Sequence, residues 1–328
     1  MNRLKNQNLD KGTLIGLLAL MLWSTAASAF KFALNSFSVF QVLFIATFVS
    51  TIIFMIYEVA YCIKIKKIKI PKINLKLIKL SILNPFLYYL ILFQAYNILP
   101  AQMALTLNYL WPIILIVLFI ITKRIIYNIN LVYSIIISFI GFLILTSKGE
   151  SPLNTKNINF DMTYLFGVIL ALFSAFVWAY YWLLNSEIET KYSSKNTKIN
   201  KEDSLFINFI LSFIYLTVYG FILKYNEILE LFNFEIIMKN SGIGLYSSIY
   251  IGFFEMGFTF LIWRYSISNS LKKEVLSNLV YISPVLSLIW ISLFLNEKIY
   301  ITTYVGFILI LLGIFYQKIK EIFLKLKN

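Results

Sequence analysis

The sequence predicts an all-α membrane protein with ten transmembrane helices, arranged as two inverted five-helix repeats. Of its 328 residues, 60% are hydrophobic and only 13% are charged, whereas a soluble domain has roughly 25% charged residues. Ten apolar runs approach the ~20 residues that a helix needs to cross the hydrocarbon core. A motif that returns in the second half at a constant spacing indicates that one unit has been duplicated.

The predicted spans follow one another with mostly short polar connections. Leu14 to Trp23, followed by Ala27-Ser28-Ala29, is also typical of a signal peptide. The apolar pattern continues to Leu34, so we expect this run to remain a helix. A polar insert from Asn185 to Asp203 is predicted to be a flexible cytoplasmic loop. The spans are expected at residues 12–34, 39–63, 76–98, 101–121, 126–147, 163–184, 205–224, 242–262, 273–295 and 300–318.

The duplication is visible in two related motifs, Leu107-Asn108-Tyr109-Leu110-Trp111-Pro112 and Leu279-Val280-Tyr281-Ile282-Ser283-Pro284. The pairs Tyr109 and Tyr281, Pro112 and Pro284, and Gly141 and Gly313 are each separated by 172 positions. Duplicated membrane halves are typical of secondary transporters. We predict one repeat over residues 1–148 and a second over residues 163–328, joined by a polar loop at 149–162.

Each proline of the two motifs lies inside an apolar run and is predicted to kink its helix. Pro112 and Pro284 lack an N–H, so each should free the carbonyl four residues earlier, at Asn108 and at Val280. In lipid, a free carbonyl is tolerated only where it faces protein or a wet cavity. The kinks therefore point to a binding site in the bundle interior.

The distribution of basic residues predicts the orientation in the membrane. With both termini in the cytoplasm, 23 of the 29 Lys and Arg residues fall in inner segments and five in outer ones. This bias satisfies the positive-inside rule. We expect a multi-pass protein of the cell (inner) membrane with cytoplasmic termini. Because five spans per half is an odd number, the second repeat must insert upside down relative to the first.

The composition excludes several classes of site. The chain has one cysteine, Cys62, and no histidine, so we expect no Cys/His metal site, no internal disulfide and no histidine-based catalysis. No acid, base and nucleophile combination of an enzyme is apparent, and we predict no cofactor. The net charge of +14 lies in short loops without a nucleic-acid motif, so no nucleic-acid partner is expected. A membrane receptor or scaffold stays open as a non-transport alternative.

Aromatic and hydrogen-bonding side chains gather near the predicted membrane midplane. Trp23 and Trp111 fall near the middle of their spans, although tryptophan usually prefers the membrane interfaces. These residues fit a ring-lined cavity for a partly apolar, partly zwitterionic ligand, and packing between helices through hydrogen bonds is the alternative. The candidate substrate-binding residues are Trp23, Ser24, Tyr88, Tyr89, Asn108, Tyr109, Trp111, Trp178, Tyr181 and Tyr281.

Glu255 is a carboxyl group in the interior of the eighth predicted span. A carboxylate at the bilayer centre costs ~2.5–3.5 kcal/mol and normally faces the bundle interior. We consider it a candidate for proton coupling or for binding a substrate amine. A structural partnership with Lys31 or with a polar amide is the alternative.

These pieces together resemble the EamA-type members of the drug/metabolite transporter superfamily. The resemblance rests on GLLALMLWSTAASAFKFAL at 16–34, QAYNILPAQMALTLNYLWP at 94–112, GVILALFSAFVWAYYWLL at 167–184, and residues 275–313 with Asn296-Glu297. Leu22-Trp23-Ser24-Thr25 and Ala175-Phe176-Val177-Trp178-Ala179 are most similar to the aromatic-amino-acid exporter branch. The third span departs from that branch, and Lys123-Arg124 replaces the acidic turn usual for such repeats.

The resemblance implies a secondary-active exporter of small metabolites that works by alternating access. Amino acids, aromatic ones included, are the expected substrates, with protons as the candidate coupling ion. Uptake or efflux of another small metabolite or drug stays open, because the direction follows only from the resemblance. The expected partners are a small-molecule substrate and the lipid bilayer, and the sequence leaves the oligomeric state open.

Overall fold

The computed structural model is built from α-helices, and no strand occurs within the residues that it describes. Those residues are 10–66, 73–122, 129–146, 162–193, 201–233, 242–270, 279, 280 and 282–327. The helices are α1 (Lys11–Leu34), α2 (Val39–Ile65), α3 (Leu75–Ile98), α4 (Ala101–Ile121), α5 (Ile129–Thr146), α6 (Met162–Ser193), α7 (Lys201–Leu223), α8 (Tyr225–Phe232), α9 (Ile243–Asn269), α10 (Ile282–Leu295) and α11 (Ile301–Lys327).

Seven of these helices are long and apolar enough to cross a membrane, namely α1, α2, α3, α4, α9 and the apolar parts of α6 and α7. Shorter apolar segments occur at Val132–Leu145, Ile282–Leu295 and Ile301–Gly313, within α5, α10 and α11. The chain is therefore a multi-pass membrane protein. All ten predicted runs carry a helix, but the count of ten spans stays a prediction.

Polar side chains at the first residues explain where several helices begin. The Asp10 carboxylate accepts a hydrogen bond from the Thr13 backbone at 3.1 Å. Ser38 and Gln41 form a reciprocal capping box before α2, and the Asn74 side chain accepts from the Leu77 backbone at 2.9 Å. Each cap satisfies N–H groups that a helix end leaves without a partner.

Four of the long helices are interrupted near their middles. A turn at Thr25 divides α1, and Tyr109 and Leu110 separate the two segments of α4. A kink at Asn84 (φ −143°, ψ 125°), next to Pro85, interrupts α3, and α9 contains a π-helical segment at Ile251–Phe258. Such wide turns are rare and often occur at functional sites.

The two prolines of the repeated motif do not act alike. Pro112 lies in the first turn of Trp111–Ile121, so the predicted break in α4 is present. Pro284 lies in the first turn of α10, and the Ser283 backbone donates to the Val280 carbonyl at 3.2 Å. The prediction of a free carbonyl at Val280 was therefore wrong, because a tight turn supplies a donor.

The predicted loop from Asn185 to Asp203 is partly helical. The helix α6 continues to Ser193, and α7 begins at Lys201. A polar sequence does not by itself end a helix, because residues such as Glu and Lys are tolerated in helix interiors. Residues 194–200 lie outside the described residues.

The short helix α8 was not predicted. It packs beside the start of α2, where Gln41 donates to the Glu230 carboxylate at 2.8 Å and Ser38 donates to the Glu227 carboxylate. Lys224 donates to Glu227 at 2.6 Å, and this hydrogen bond raises the pKa of Lys224. Polar contacts thus fix the α7–α9 connection against the other half of the chain.

The helices α5 and α11 pack closely through small residues. A Cβ atom added to Gly306 would lie 2.5 Å from the Gly141 carbonyl oxygen, so only glycine allows this approach. Ser134 donates to the Gly313 carbonyl at 2.6 Å, and Ser138 donates to the Ile310 carbonyl at 3.4 Å. Gly141 and Gly313, paired by their spacing in the sequence, therefore each face the opposite helix.

Candidate functional site

A hydrogen bond between the two halves of the chain lies at the centre of the candidate site. The Tyr89 hydroxyl on α3 donates to Oε1 of Glu255 on α9 at 3.2 Å. The Trp23 indole on α1 donates to the Glu255 backbone carbonyl, also at 3.2 Å. Glu255 belongs to the π-helical segment of α9, which helps explain why a backbone carbonyl in mid-helix can accept this bond. Three of the predicted residues therefore meet here.

A second polar group joins the two halves through hydrogen bonds at Asn108. The Tyr88 hydroxyl donates to Oδ1 of Asn108 at 3.1 Å, and the Asn108 amide donates to Ser174 at 2.8 Å. Asn108 is the last residue of the first α4 segment. This chain of hydrogen bonds joins α3, α4 and α6 beside the break in α4.

Aromatic rings connect these polar groups. Trp178 stacks on Tyr88 with 4.6 Å between ring centroids, and on Tyr181 with 5.5 Å. Tyr88 meets Tyr89 edge to face at 4.8 Å, and the Asn84 side chain hydrogen-bonds to Tyr181. Two adjacent tyrosines on α3 thus link Trp178 to Glu255.

Trp23 lies in a second aromatic group, contributed by α1, α9 and α10. Its ring contacts Phe260 at 5.6 Å and Trp263 at 5.4 Å between centroids. Ser24 donates to the Met21 carbonyl at 2.6 Å and accepts a hydrogen bond from the Trp290 indole at 3.0 Å. Ser24 is therefore engaged in packing α10 against α1.

The other predicted residues have different positions. Trp111 begins the second segment of α4 and is partly exposed, while Tyr109 packs against the buried core and interacts electrostatically with Tyr88. Tyr281 lies outside the described residues. Lys31, the alternative partner of Glu255, instead interacts electrostatically with Glu297.

The aromatic rings of the site pack more closely against one another than the predicted hollow at the midplane would allow. Tyr89 is 1% exposed and Asn108 is 7% exposed. A cavity of about 180 Å³ occurs elsewhere, between the start of α4 and the start of α11, lined by Pro100, Gln102, Met103, Leu145, Tyr300 and Thr303. A substrate at Glu255 would therefore have to separate side chains that contact one another here.

The end of α4 next to this cavity is bound by the second half of the chain. The Glu297 carboxylate accepts hydrogen bonds from the Ala101 and Gln102 backbones, at 2.8 and 3.3 Å. The Gln102 side chain donates to the Lys298 carbonyl at 2.9 Å and accepts from Thr303 at 2.8 Å. On the predicted topology this contact lies at the outer face.

Several site residues could not be recognised from the sequence. Ser174 and Trp290 were not singled out, because their partners, Asn108 and Ser24, lie on helices distant in the chain. Thr25 is likewise bonded to the Tyr250 hydroxyl at 2.7 Å. Within the described residues, no group of three or more Cys, Asp or Glu could hold a metal ion.

The comparisons with known proteins concern nearly the whole chain. A model of the EamA-like transporter family matches residues 10–147 and 165–316. Eleven chains of solved structures match, and one, titled "Crystal structure of protein", has a TM-score of 0.61 at 17% identity. That match covers 95% of this chain and 98% of the other, and shows a shared fold only. No curated protein matches the sequence.

Proposed function

Because the chain belongs to the EamA-like transporter family, we propose that it is a secondary-active exporter of small metabolites, with amino acids as substrates, aromatic ones included. The family makes it a membrane transporter of small molecules. Export and the aromatic-amino-acid branch are carried over from the sequence resemblance. The expected site is in the cell (inner) membrane, with both termini in the cytoplasm.

The observation that carries this proposal is Glu255. Its Oε1 accepts from Tyr89, while its Oε2 is buried and has no hydrogen-bond partner. A buried acceptor without a donor costs roughly 1–3 kcal/mol, more when it is charged. A substrate ammonium group or a proton would satisfy it. The rings of Trp23, Tyr88 and Trp178 nearby suit the apolar part of an amino acid.

We further propose that the fold consists of ten spans in two inverted repeats that rock against each other to give alternating access. The packing of α5 on α11 supports this arrangement. Gly141 and Gly306 are in contact, and their equivalents in the opposite halves, 172 positions later and earlier, are Gly313 and Ser134, which are also in contact. Ser138 and Ile310, which are hydrogen-bonded, are themselves separated by 172 positions, so each is the equivalent of the other. Exchange of this kind is expected of two copies related by a two-fold axis.

Counterflow in proteoliposomes tests the proposed function. Vesicles that carry the purified protein and unlabelled phenylalanine inside should accumulate labelled phenylalanine, whereas vesicles without protein should not. Trp111→Ala and Tyr109→Ala should each lower the rate about ten-fold or more. Losing a side chain that positions the substrate can lower a rate by this factor even from a distance. Tyr246→Ala is the matched control, since Tyr246 is 73% exposed.

Two outcomes would contradict the proposal. If folded wild-type protein exchanges none of the amino acids, they are not its substrates. If flux is unchanged in both Trp111→Ala and Tyr109→Ala, these side chains only pack the helices.

A further inference from the structure

The interruptions of α3 and α9 occupy the same place in their helices. Each helix ends at a residue in extended conformation, Leu99 (φ −93°, ψ 155°) after α3 and Ser270 (φ −73°, ψ 131°) after α9. Counted back from these ends, Asn84 and Glu255 both lie 15 positions earlier. Asn84 lies at the kink of α3, where its backbone is extended (φ −143°, ψ 125°), and Glu255 lies in the π-helical segment of α9. An amide in one half thus corresponds to a carboxyl group in the other.

Contacts between the halves independently show that the end of α3 corresponds to the end of α9. A Cβ atom on Gly12 would lie 2.5 Å from the Ser270 nitrogen, and one on Gly167 would lie 2.8 Å from the Leu99 side chain. The helix α1 therefore passes the end of α9 just as α6 passes the end of α3. Counted onward from these glycines, Trp23 and Trp178 both lie 11 positions later.

Each of these tryptophans lies beside the interrupted helix of the opposite half. Trp23 donates to the Glu255 carbonyl at 3.2 Å. Trp178 stacks on Tyr181, the residue whose hydroxyl bonds to Asn84. The bundle interior thus contains one arrangement twice: a tryptophan from the first helix of one half and a polar residue at the interruption of a helix in the other half.

Both polar residues carry an acceptor oxygen without a donor. Asn84 is 1% exposed, and neither its Oδ1 nor Oε2 of Glu255 has a hydrogen-bond partner. Buried oxygens of this kind require a hydrogen-bond donor from a ligand or from water. The two positions differ in charge, since only one of them can be an anion.

We propose that Asn84 and Glu255 are the equivalent polar positions of one ligand site, and that the carboxylate on one side alone makes the site select a ligand with an ammonium group. This inference rests on the proposed transport function and names the chemical class of its substrate. Asn84 is then a specificity-determining residue that offers a neutral acceptor. The charge should be transferable, because the two positions correspond in their distance from the helix end and in the tryptophan of the opposite half beside them.

The test moves the carboxylate from one position to the other. Equilibrium binding to the purified full chain compares 2-phenylethylamine, a cation at neutral pH, with 2-phenylethanol, its neutral analogue. The wild type should prefer the amine about ten-fold or more, which is ~1.4 kcal/mol. Glu255→Gln should abolish that preference. The double variant Asn84→Glu/Glu255→Gln should restore part of it.

The controls separate this inference from folding and from the transport proposal. Glu58→Gln removes a buried carboxyl group of α2 and should leave the preference unchanged. Asn84→Asp/Glu255→Gln supplies the same charge with the native side-chain size, in case the longer acid prevents folding. A folded double variant without restored preference overturns the inference, even if wild-type vesicles exchange phenylalanine. Restored preference without exchange by the wild type would instead refute only the transport proposal.

Discussion

Glu255 forms one of the polar contacts between the halves at the candidate site, through Tyr89 and Trp23. The sequence could identify Glu255 as unusual, because a carboxyl group in an apolar run has few explanations. Its partners could not be identified, since Tyr89 is 166 positions away and its neighbour Tyr88 looks identical in the sequence. Only the folded arrangement of the helices decides that Tyr89 bonds to Glu255 while Tyr88 bonds to Asn108.

At this scale we predict that Glu255→Gln removes the pH dependence of transport. A protonated carboxyl group has no charge to hold an ammonium ion, so wild-type binding should weaken as the pH falls. Within the described part of the chain, Tyr88, Tyr89 and Tyr96 interact electrostatically with Glu255, and tyrosines are neutral at physiological pH. A glutamine cannot titrate, so its rate should be low and flat between about pH 5 and 9.

Initial counterflow rates over this pH range check the prediction. Glu58→Gln should keep the wild-type pH profile, since Glu58 lies near the C-terminal end of α2. A Glu255→Gln protein with the wild-type pH profile would show that another group binds the proton.

Interrupted helices are the feature at the element scale that the sequence predicted only in part. The break in α4 follows from Pro112, and Pro85 at the kink of α3 is a comparable signal. The segment Ile251–Phe258 in α9 contains no proline. Its position becomes apparent only from the correspondence of α3 with α9. The helix α8 was missed because eight residues with two acids look like an ordinary polar loop.

At the element scale we predict that Glu297 stabilises the start of α4. Its carboxylate accepts from two backbone N–H groups that the helix end leaves without a partner. Glu297→Ala should therefore lower the free energy of unfolding by ~1 kcal/mol, the usual effect of losing an N-terminal cap. Glu297→Gln should lose less, because an amide oxygen still accepts one bond.

Thermal unfolding in detergent measures this effect. The matched control is Lys298→Ala, which leaves intact the backbone carbonyl that Gln102 contacts. An equal loss of stability in both variants would mean that the turn itself, and not the carboxylate, stabilises the helix.

The relation between the halves belongs to the whole molecule, and there the sequence was most informative. The spacing of 172 between Gly141 and Gly313 indicated a duplication. It did not indicate that Gly141 would face Gly306, because a repeat relates equivalent residues without saying which of them touch. The contacts of Gly12 with Ser270 and of Gly167 with Leu99 likewise required the folded chain.

At this scale we predict that Gly306→Ala destabilises the protein. The added methyl group would lie 2.5 Å from the Gly141 carbonyl, and overpacking of this kind typically costs ~1–3 kcal/mol. Gly242→Ala is the control, because nothing lies within 4 Å of the added atom. Thermal unfolding in detergent should show a lower midpoint for Gly306→Ala alone. Equal midpoints would contradict the close packing of α5 on α11.

The close packing of α5 on α11 also limits which parts of the molecule can move. Its contacts, from Ser134 with Gly313 to Gly141 with Gly306, extend over seven positions of α5, which is about 10 Å along the helix. Two backbone-level contacts this far apart oppose both sliding and scissoring of the pair. Because α5 belongs to the first repeat and α11 to the second, the pair would then form the fixed pivot about which the remaining helices of the two repeats move in a transport cycle.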